Sequence, residues 1–306
     1  MLLLFTIIHP LVDACSVAVL VAGGMSWERV IAYNAMAFAL QLPLGMVLDA
    51  WPCLVRRGFF LGTGMVFAAA VGTALGLGGW GVLAVACVGN ALFHLTAGKH
   101  VLETHGGRSG PIGLFIATGA LGLMAGQVWA AQAAGVCLWV FAAALGACVV
   151  VTAVLWTHRS APLPCGALGE RALPEVAKSA AIPVLVGLFV LIAWRSWAGL
   201  FASGRSAGGC ALLMLVGAAV TFAGKVAGGY LGDRLGRWGV TVLSCLGSVA
   251  LVFFCEPTWM LAWFILLFVS QLATAPVLSL VYDRVERKGG TAFGLNCLGL
   301  FVGSLA

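Results

Sequence analysis

The sequence predicts an all-α protein, a bundle of helices that cross a membrane. Of its 306 residues, 62% are hydrophobic and only 8% are charged, whereas a soluble domain carries about 25% charged residues. Such a chain cannot cover a water-facing surface, and in lipid only helices or closed barrels satisfy the backbone. The apolar runs are continuous and roughly 20 residues long, which is typical of membrane helices and not of barrel strands.

Eleven apolar segments can be distinguished, and the breaks between them carry glycine, proline or charge. They lie at 2–24, 28–49, 58–78, 80–99, 109–131, 135–157, 179–203, 207–231, 238–255, 258–282 and 289–306. The longest polar break, 158–178, predicts a cytoplasmic linker. It divides the chain into an N-terminal six-helix half, 1–157, and a C-terminal half of about five helices, 179–306.

The basic residues indicate the orientation, because cytoplasmic loops of membrane proteins are enriched in lysine and arginine. An N-terminus on the inside places twelve of the 16 basic residues in cytoplasmic loops. These are Arg56, Arg57, Lys99, Arg108, Arg159, Arg171, Lys178, Arg234, Arg237, Arg284, Arg287 and Lys288. The prediction is a multi-pass protein of the cytoplasmic (inner) membrane with its N-terminus inside.

A charged turn is repeated at the ends of two apolar segments. One copy reads Gly229-Tyr230-Leu231-Gly232-Asp233-Arg234-Leu235-Gly236-Arg237, and the other contains Gly45 and Asp49 before Arg56 and Arg57. The first copy closely resembles the loop signature of the major facilitator superfamily. Asp49 and Asp233 are separated by about one six-helix unit, and parallel six-helix repeats are the architecture of these transporters.

The resemblance implies roles for the charged turn. In this superfamily the aspartate caps a neighbouring helix and the arginines bridge to acidic groups, so that Asp233, Arg234 and Arg237 would form a cytoplasmic gate. Asp49 would be the matching gate residue, although Ala50 stands where arginine usually follows.

Further motifs resemble one branch of the superfamily. His9-Pro10-Leu11-Val12-Asp13, Gly89-Asn90-Ala91-Leu92-Phe93-His94 and the glycine-rich start of the fifth segment are similar to the fosmidomycin-resistance-like branch and its unnamed bacterial relatives. That similarity implies proton-driven export of a small molecule. Members usually have twelve helices, so we expect about eleven here, with the twelfth missing.

Ionisable residues inside the apolar segments are functional candidates, because a charge at mid-bilayer is costly. His9 and Asp13 are four apart on one helix face, which predicts Asp13 as the proton-coupling group with His9 as its partner. The alternative is a buried polar pair that fixes helix packing.

The other intramembrane polar residues leave alternatives open. In the superfamily, helices 1, 4, 7 and 10 line the central cavity, so Asn90, His94 and Arg195 are candidate substrate-binding residues. Alternatively, His94 is a packing histidine, and Arg195 extends to the outer interface among tryptophans. Lys225 would extend to the cytoplasmic surface, form an ion pair or contact substrate.

Two local patterns concern packing. Gly110, Gly113, Gly119, Gly122 and Gly126 predict a small-residue face for close helix contact on the fifth segment. Pro43 predicts a kink in the second segment.

Several classes of function are disfavoured. The basic residues form no patch for nucleic acid, and no nucleophile elbow, zinc motif or phosphate loop indicates an enzyme. The cysteines are scattered and predicted to be buried hydrophobes, so we expect neither metal nor cofactor. The predicted function is a monomeric secondary transporter with a small-molecule substrate, protons and the lipid bilayer as partners. The alternative is a non-transporting scaffold or sensor derived from a transporter.

Overall fold

The computed structural model describes residues 1–159, 175–207, 210–254 and 260–305. Most of the predicted linker, residues 160–174, lies outside them. The described residues form helices joined by short turns, and no strand occurs among them. The predicted all-α class is therefore confirmed.

The helices follow one another along the chain with little intervening loop. Their bounds are α1 Leu2–Ala22, α2 Trp27–Asn34, a π-helical turn Ala35–Ala39, α3 Gln41–Ala50, α4 Leu54–Ala74, α5 Trp80–Thr104, α6 Ser109–Arg159, α7 Glu175–Ala207, α8 Ala211–Leu235, α9 Arg237–Phe254, α10 Met260–Leu272, α11 Thr274–Arg284 and α12 Gly289–Ser304.

Nine helical segments in the described part of the chain are long and apolar enough to cross a membrane. One of these segments joins α2 to α3, and another joins α10 to α11. The 51-residue α6 has non-helical angles at Ala133 (φ −152°, ψ 64°). At 1.5 Å per residue α6 measures about 77 Å along its path, which is enough for the two spans predicted at 109–131 and 135–157. The protein is therefore a multi-pass membrane protein.

The distribution of polarity is the reverse of that in a soluble protein. Large apolar side chains such as Leu61, Leu243 and Phe254 are exposed around the bundle, where lipid would surround them. His9, Asp13, Gln41, Asp49, Asn90, His94, Lys99, Arg195, Gln271 and Asn296 are instead buried inside it. Because hydrocarbon offers no hydrogen bonds, the bundle interior is where these groups find partners.

The second predicted segment contains a π-helical turn shortly before Pro43. The turn at Ala35–Ala39 ends two residues before Gln41, and Gln41 Nε2 donates to Ala37 O at 2.6 Å. Pro43 lies just beyond it and has no N–H for the helical ladder. A π turn accommodates an interruption in the backbone hydrogen bonds of a helix. The irregular part of this span therefore lies on the N-terminal side of Pro43.

Glycines let α6 approach two helices closely. A Cβ at Gly126 would lie 2.6 Å from Ala14 O in α1, and one at Gly122 would overlap the backbone of Pro10. Nearer its start, a Cβ at Gly113 would lie 2.9 Å from Lys225 O in α8. The predicted small-residue face is confirmed, and it serves two neighbours, α1 and α8.

Replacing Gly122 tests this close packing. We expect Gly122→Ala to destabilise the protein by about 1–3 kcal/mol, because the methyl group would force α1 and α6 apart. The matched control is Gly64→Ala in α4, where a Cβ meets nothing within 4 Å, so that alanine should be neutral or stabilising by up to about 1 kcal/mol. Unfolding of the two variants in detergent gives the comparison, and equal stabilities would contradict the proposed packing.

Candidate functional site

Two helices bring four polar side chains together. α1 presents His9 and Asp13 on successive turns, and α5 presents Asn90 and His94 in the same way. His9 Nε2 lies 3.2 Å from Asp13 Oδ2, and His94 Nε2 lies 3.3 Å from Asp13 Oδ1. Asn90 Nδ2 donates to Asp13 Oδ1 at 3.0 Å. The predicted proton-coupling pair and two of the predicted substrate residues therefore meet, and we call His9, Asp13 and His94 the His–Asp–His cluster.

Backbone carbonyls orient both imidazole rings. His9 Nδ1 lies 2.7 Å from Phe115 O in α6, and His94 Nδ1 lies 2.8 Å from Asn90 O in its own helix. A carbonyl oxygen can only accept, so each Nδ1 carries a hydrogen and donates it. In a neutral histidine the other nitrogen, Nε2, is then a hydrogen-bond acceptor.

The cluster therefore needs an additional cation. The two Nε2 atoms lie 2.7 Å apart and both face the carboxylate of Asp13. Without a further hydrogen, the lone pairs of the two Nε2 atoms would face each other and the oxygens of the Asp13 carboxylate. Such acceptors without a donor are unfavourable in a buried site. One proton on either Nε2 supplies a donor to the other ring and makes an imidazolium that pairs with the Asp13 carboxylate. The geometry is that of a site holding one proton beyond two neutral histidines.

The same three side chains are also a metal-capable group, which the sequence analysis did not predict. Their ligand atoms lie within 4.8 Å of one another. Nitrogen ligands on one tetrahedral ion, with bonds of about 2.0–2.1 Å, stand roughly 3.3 Å apart. The separation of 2.7 Å between the two Nε2 atoms is too short for that arrangement and has the length of a hydrogen bond. The distances therefore favour a proton over a metal.

α6 closes the cluster from the side opposite α5. A Cβ at Gly119 would lie 2.6 Å from both His9 Nε2 and Asp13 Oδ2, so only glycine leaves room there. Ser16 is a further neighbour, since its Oγ accepts from Asn90 Nδ2 at 3.2 Å. The sequence analysis missed the parts played by Ser16, Gly119 and the Phe115 carbonyl. Ser16 could have been found from its position one turn after Asp13, whereas a backbone carbonyl carries no sequence signal.

Arg195 lies apart from the cluster, within α7. Its side chain is 5% exposed, and Nη1 donates to Gln271 Oε1 in α10 at 3.1 Å. The alternative in which Arg195 extends to the outer interface is wrong, because the side chain is enclosed by protein.

Lys225 contacts α6, the helix whose Phe115 carbonyl orients His9. Its Nζ donates to Ile116 O at 3.4 Å, next to the carbonyl that orients His9. Lys225 therefore does not extend to the end of α8, and no ion pair is recorded for it in the described part of the chain.

The two repeated aspartates cap helices that are distant in sequence. Asp49 accepts from Gly290 N at 2.9 Å and from Thr291 N and Oγ1 at 2.7 Å, at the start of α12. Asp233 accepts from Ser109 N at 2.8 Å and from Gly110 N at 2.9 Å, at the start of α6. A carboxylate at a helix N-terminus satisfies free N–H groups and the positive end of the helix dipole. These contacts are of the kind that the resemblance implies.

The arginines of the charged turn differ from each other. Arg237 Nη1 donates to Asp283 Oδ2 at 2.6 Å, at the end of α11. Arg234 is exposed, and no ion pair is recorded for it among the described residues. Arg108, which the sequence analysis did not single out, lies 3.7 Å from Asp233 Oδ2.

Lys99 corrects the predicted topology locally. It was expected in a loop, but α5 continues to Thr104 and buries it. Lys99 Nζ donates to Asp49 Oδ1 at 2.6 Å and to Glu103 Oε1 at 2.5 Å. α5 continues past Lys99 to Thr104, because the buried Lys99 ammonium is paired with Asp49 of α3 and with Glu103 one turn further along α5.

Removing one aspartate tests the caps. We expect Asp233→Ala to cost about 1–2 kcal/mol, because Ser109 N and Gly110 N lose their acceptor. The neighbouring Arg234→Ala is the matched control and should change stability by less than about 0.5 kcal/mol, as surface substitutions usually do. Hydrogen exchange at the start of α6 should increase in the aspartate variant alone, and an equal increase in both would contradict the cap.

The protonation of the cluster can be measured by 15N NMR of labelled histidine. We expect protonated Nδ1 atoms on both cluster histidines and one further proton shared by the Nε2 atoms at neutral pH. Asp13→Asn should release the shared proton, because the anion that stabilises it is gone. Signals are assigned with His9→Gln and His94→Gln. Two unprotonated Nδ1 atoms would contradict the arrangement.

Comparison with known proteins gives matches at the level of structure. No protein-family model matches the sequence, and no curated protein matches it. The structure is similar to the fucose:proton symporter FucP of E. coli, with TM-score 0.64 and 13% identity over 99% of this chain and 88% of that chain.

Two further transporters share the architecture. A bacterial homologue of the iron transporter ferroportin, in an outward-facing state, gives TM-score 0.59 and 16% identity over 99% of this chain and 90% of that chain. The nucleoside transporter NupG gives TM-score 0.50 and 12% identity over 100% of this chain and 90% of that chain. Identities of this size establish the fold alone. The chain therefore has the fold of major facilitator transporters.

Proposed function

We propose that the protein is a secondary transporter that moves a small molecule across the cytoplasmic membrane by alternating access, coupled to protons. The observation that carries the proposal is the buried His–Asp–His cluster, whose hydrogen-bond geometry accommodates one additional proton. The fold supports it, since alternating movement of two helix bundles around a central site is its usual mode of action. A structurally similar protein, FucP, is named as a proton symporter.

The proposed organisation is two halves, 1–157 and 179–306, joined by a cytoplasmic linker, with the N-terminus inside. The caps made by Asp49 and Asp233 support a gate, because each joins a helix of the first part of the chain to one of the last part. In this orientation the gate closes the cytoplasmic side, and the ion pair of Arg237 with Asp283 joins α9 to α11 within the C-terminal half. Substrate would then exchange with the outside in the conformation described here.

In the proposed coupling, the proton and the substrate compete for the same side chains. His94 and Asn90 belong to the proton cluster and are also the proposed substrate contacts, so a substrate that binds them disturbs the shared proton. Lys225 holds the neighbouring turn of α6 through Ile116 O and links that turn to α8. Arg195 is the proposed contact for an anionic group. Proton entry from outside and release inside would drive export, as the branch resemblance implies.

Proteoliposomes with an internal pH dye test the proposal. Pools of metabolites and drugs are screened for substrate-dependent proton flux by wild type and Asp13→Asn. We expect the substitution to reduce flux roughly 10- to 100-fold, because a charged hydrogen-bond partner of the proton contributes about 1.5–3 kcal/mol. Glu28→Gln removes an exposed carboxylate outside the cluster and is the matched control.

The outcomes separate the alternatives. Flux that survives in Asp13→Asn would overturn the cluster as the coupling site. Substrate movement without proton flux would indicate a uniporter. A biological phenotype that persists in Asp13→Asn, together with no flux for any pool, would favour the scaffold or sensor.

A further inference from the structure

The guanidinium of Arg195 is buried with most of its hydrogen-bonding capacity unused. The side chain is 5% exposed, and Nε and Nη2 form no hydrogen bond with any residue that the structure describes. Only Nη1 is engaged, with Gln271 Oε1 at 3.1 Å. Since Nε and Nη2 together form the edge of the group that binds anions through two parallel hydrogen bonds, the free part of Arg195 is its anion-binding edge.

No carboxylate compensates this charge among the described side chains. In α7–α12 the described carboxylates, Asp233, Asp283 and Glu286, all lie at or beyond the end of a helix. The other cation inside these helices, Lys225, has only a carbonyl contact. A buried arginine without an anion is strongly disfavoured, because the charge has lost its hydration.

A small cavity lies beside Arg195, between α7, α9 and α10. It measures about 10 Å³, close to the space of one water molecule. Polar lining residues include Thr241, Ser244, Ser248 and Ser270. The cavity therefore admits a ligand of about one atom.

The free hydrogens at this cavity belong to Arg195 and Thr241. Thr241 Oγ1 is buried and forms no hydrogen bond within the described ranges of the chain. The three serine hydroxyls already donate to carbonyls, Ser244 to Val269 O, Ser248 to Cys245 O and Ser270 to Leu267 O. The remaining donors are the Nε and Nη2 groups on one edge of the Arg195 guanidinium and the Thr241 hydroxyl.

Gln271 holds the guanidinium in place. Its Oε1 accepts from both Arg195 Nη1 and Thr274 Oγ1, at 3.1 and 3.2 Å. Because Thr274, at the start of α11, donates to the Gln271 amide at the end of α10, the amide is held in place and the free edge of Arg195 keeps its direction without a ligand. A site that is oriented in advance loses less entropy on binding.

We propose that this cavity binds a small inorganic anion, with chloride as the ligand of fitting size and charge. Arg195 Nε and Nη2 and the Thr241 hydroxyl donate to it. A single water would satisfy some of these donors but would leave the charge uncompensated. The site lies outside the His–Asp–His cluster, so it does not depend on the proposed proton coupling, although it uses the same Arg195 that is the proposed contact for an anionic group of the substrate.

Chloride binding to the purified full chain in detergent tests the proposal. The line width of 35Cl NMR reports bound chloride, and the unfolding temperature is followed as sodium gluconate is replaced by sodium chloride or bromide at constant ionic strength. We expect wild type to broaden the chloride signal and to unfold several degrees higher in halide. Gluconate is too large for the cavity and serves as the reference anion.

Two variants and their controls locate the effect. Arg195→Gln removes the charge and should abolish both signals, and Thr241→Val removes the hydroxyl at similar volume and should weaken chloride binding several-fold. Thr63→Val is the matched control, because that buried hydroxyl bonds only carbonyls of its own helix. Arg29→Gln controls for a surface arginine.

The outcomes are clear-cut. Halide effects lost in Arg195→Gln and reduced in Thr241→Val, but kept in both controls, establish the site. Stability of wild type that is the same in chloride and gluconate, without line broadening, means that the cavity holds only water and overturns it. Broadening that persists in Arg195→Gln also overturns it. Proton flux in liposomes is measured separately, so the failure of one proposal leaves the other intact.

Discussion

The contact between the two imidazole Nε2 atoms is the constraint on which the central region depends. His9, Asp13 and His94 are buried, and the repulsion among the two Nε2 lone pairs and the Asp13 carboxylate is relieved by one added hydrogen. The fold enforces this contact by fixing both rings from behind, through Phe115 O and Asn90 O. α1, α5 and α6 must therefore keep their relative rotation, and Gly119 lets α6 come close enough to do so.

Charge inside the bundle is handled in two ways. At one end, Lys99 pairs with both Asp49 and Glu103, and these two carboxylates also accept from N–H groups at the start of α12. Deeper inside α7–α12, Arg195 and Lys225 donate to neutral oxygens, and neither forms an ion pair with a described residue. The first arrangement stabilises contact between parts of the chain that are distant in sequence. The second leaves positive charges that can attract a ligand.

The sequence indicated the helices and most of these polar residues, but not how the residues come together. Hydrophobic run length and the charged turn predicted the helices and singled out Asp49 and Asp233, and the four-residue spacing put His9 beside Asp13 and Asn90 beside His94. That the two pairs meet could not be derived, because it depends on the rotation of α1 against α5. Lys99 was misplaced for a related reason, because the residue that pairs with its buried charge, Asp49, comes from another helix and cannot be recognised from the sequence around Lys99.

The π-helical turn in the second span sets the rotation of the following helix, α3, about its axis. An α-helix advances about 100° per residue, so the extra residue accommodated in a π turn rotates the following helix by about that angle. Asp49 lies ten residues beyond Ala39, on the rotated part, and there it faces the start of α12. A regular helix through Ala35–Ala39 would direct this carboxylate elsewhere. A one-residue change in helix register, with no change in chemistry, thus decides whether α3 and α12 are connected.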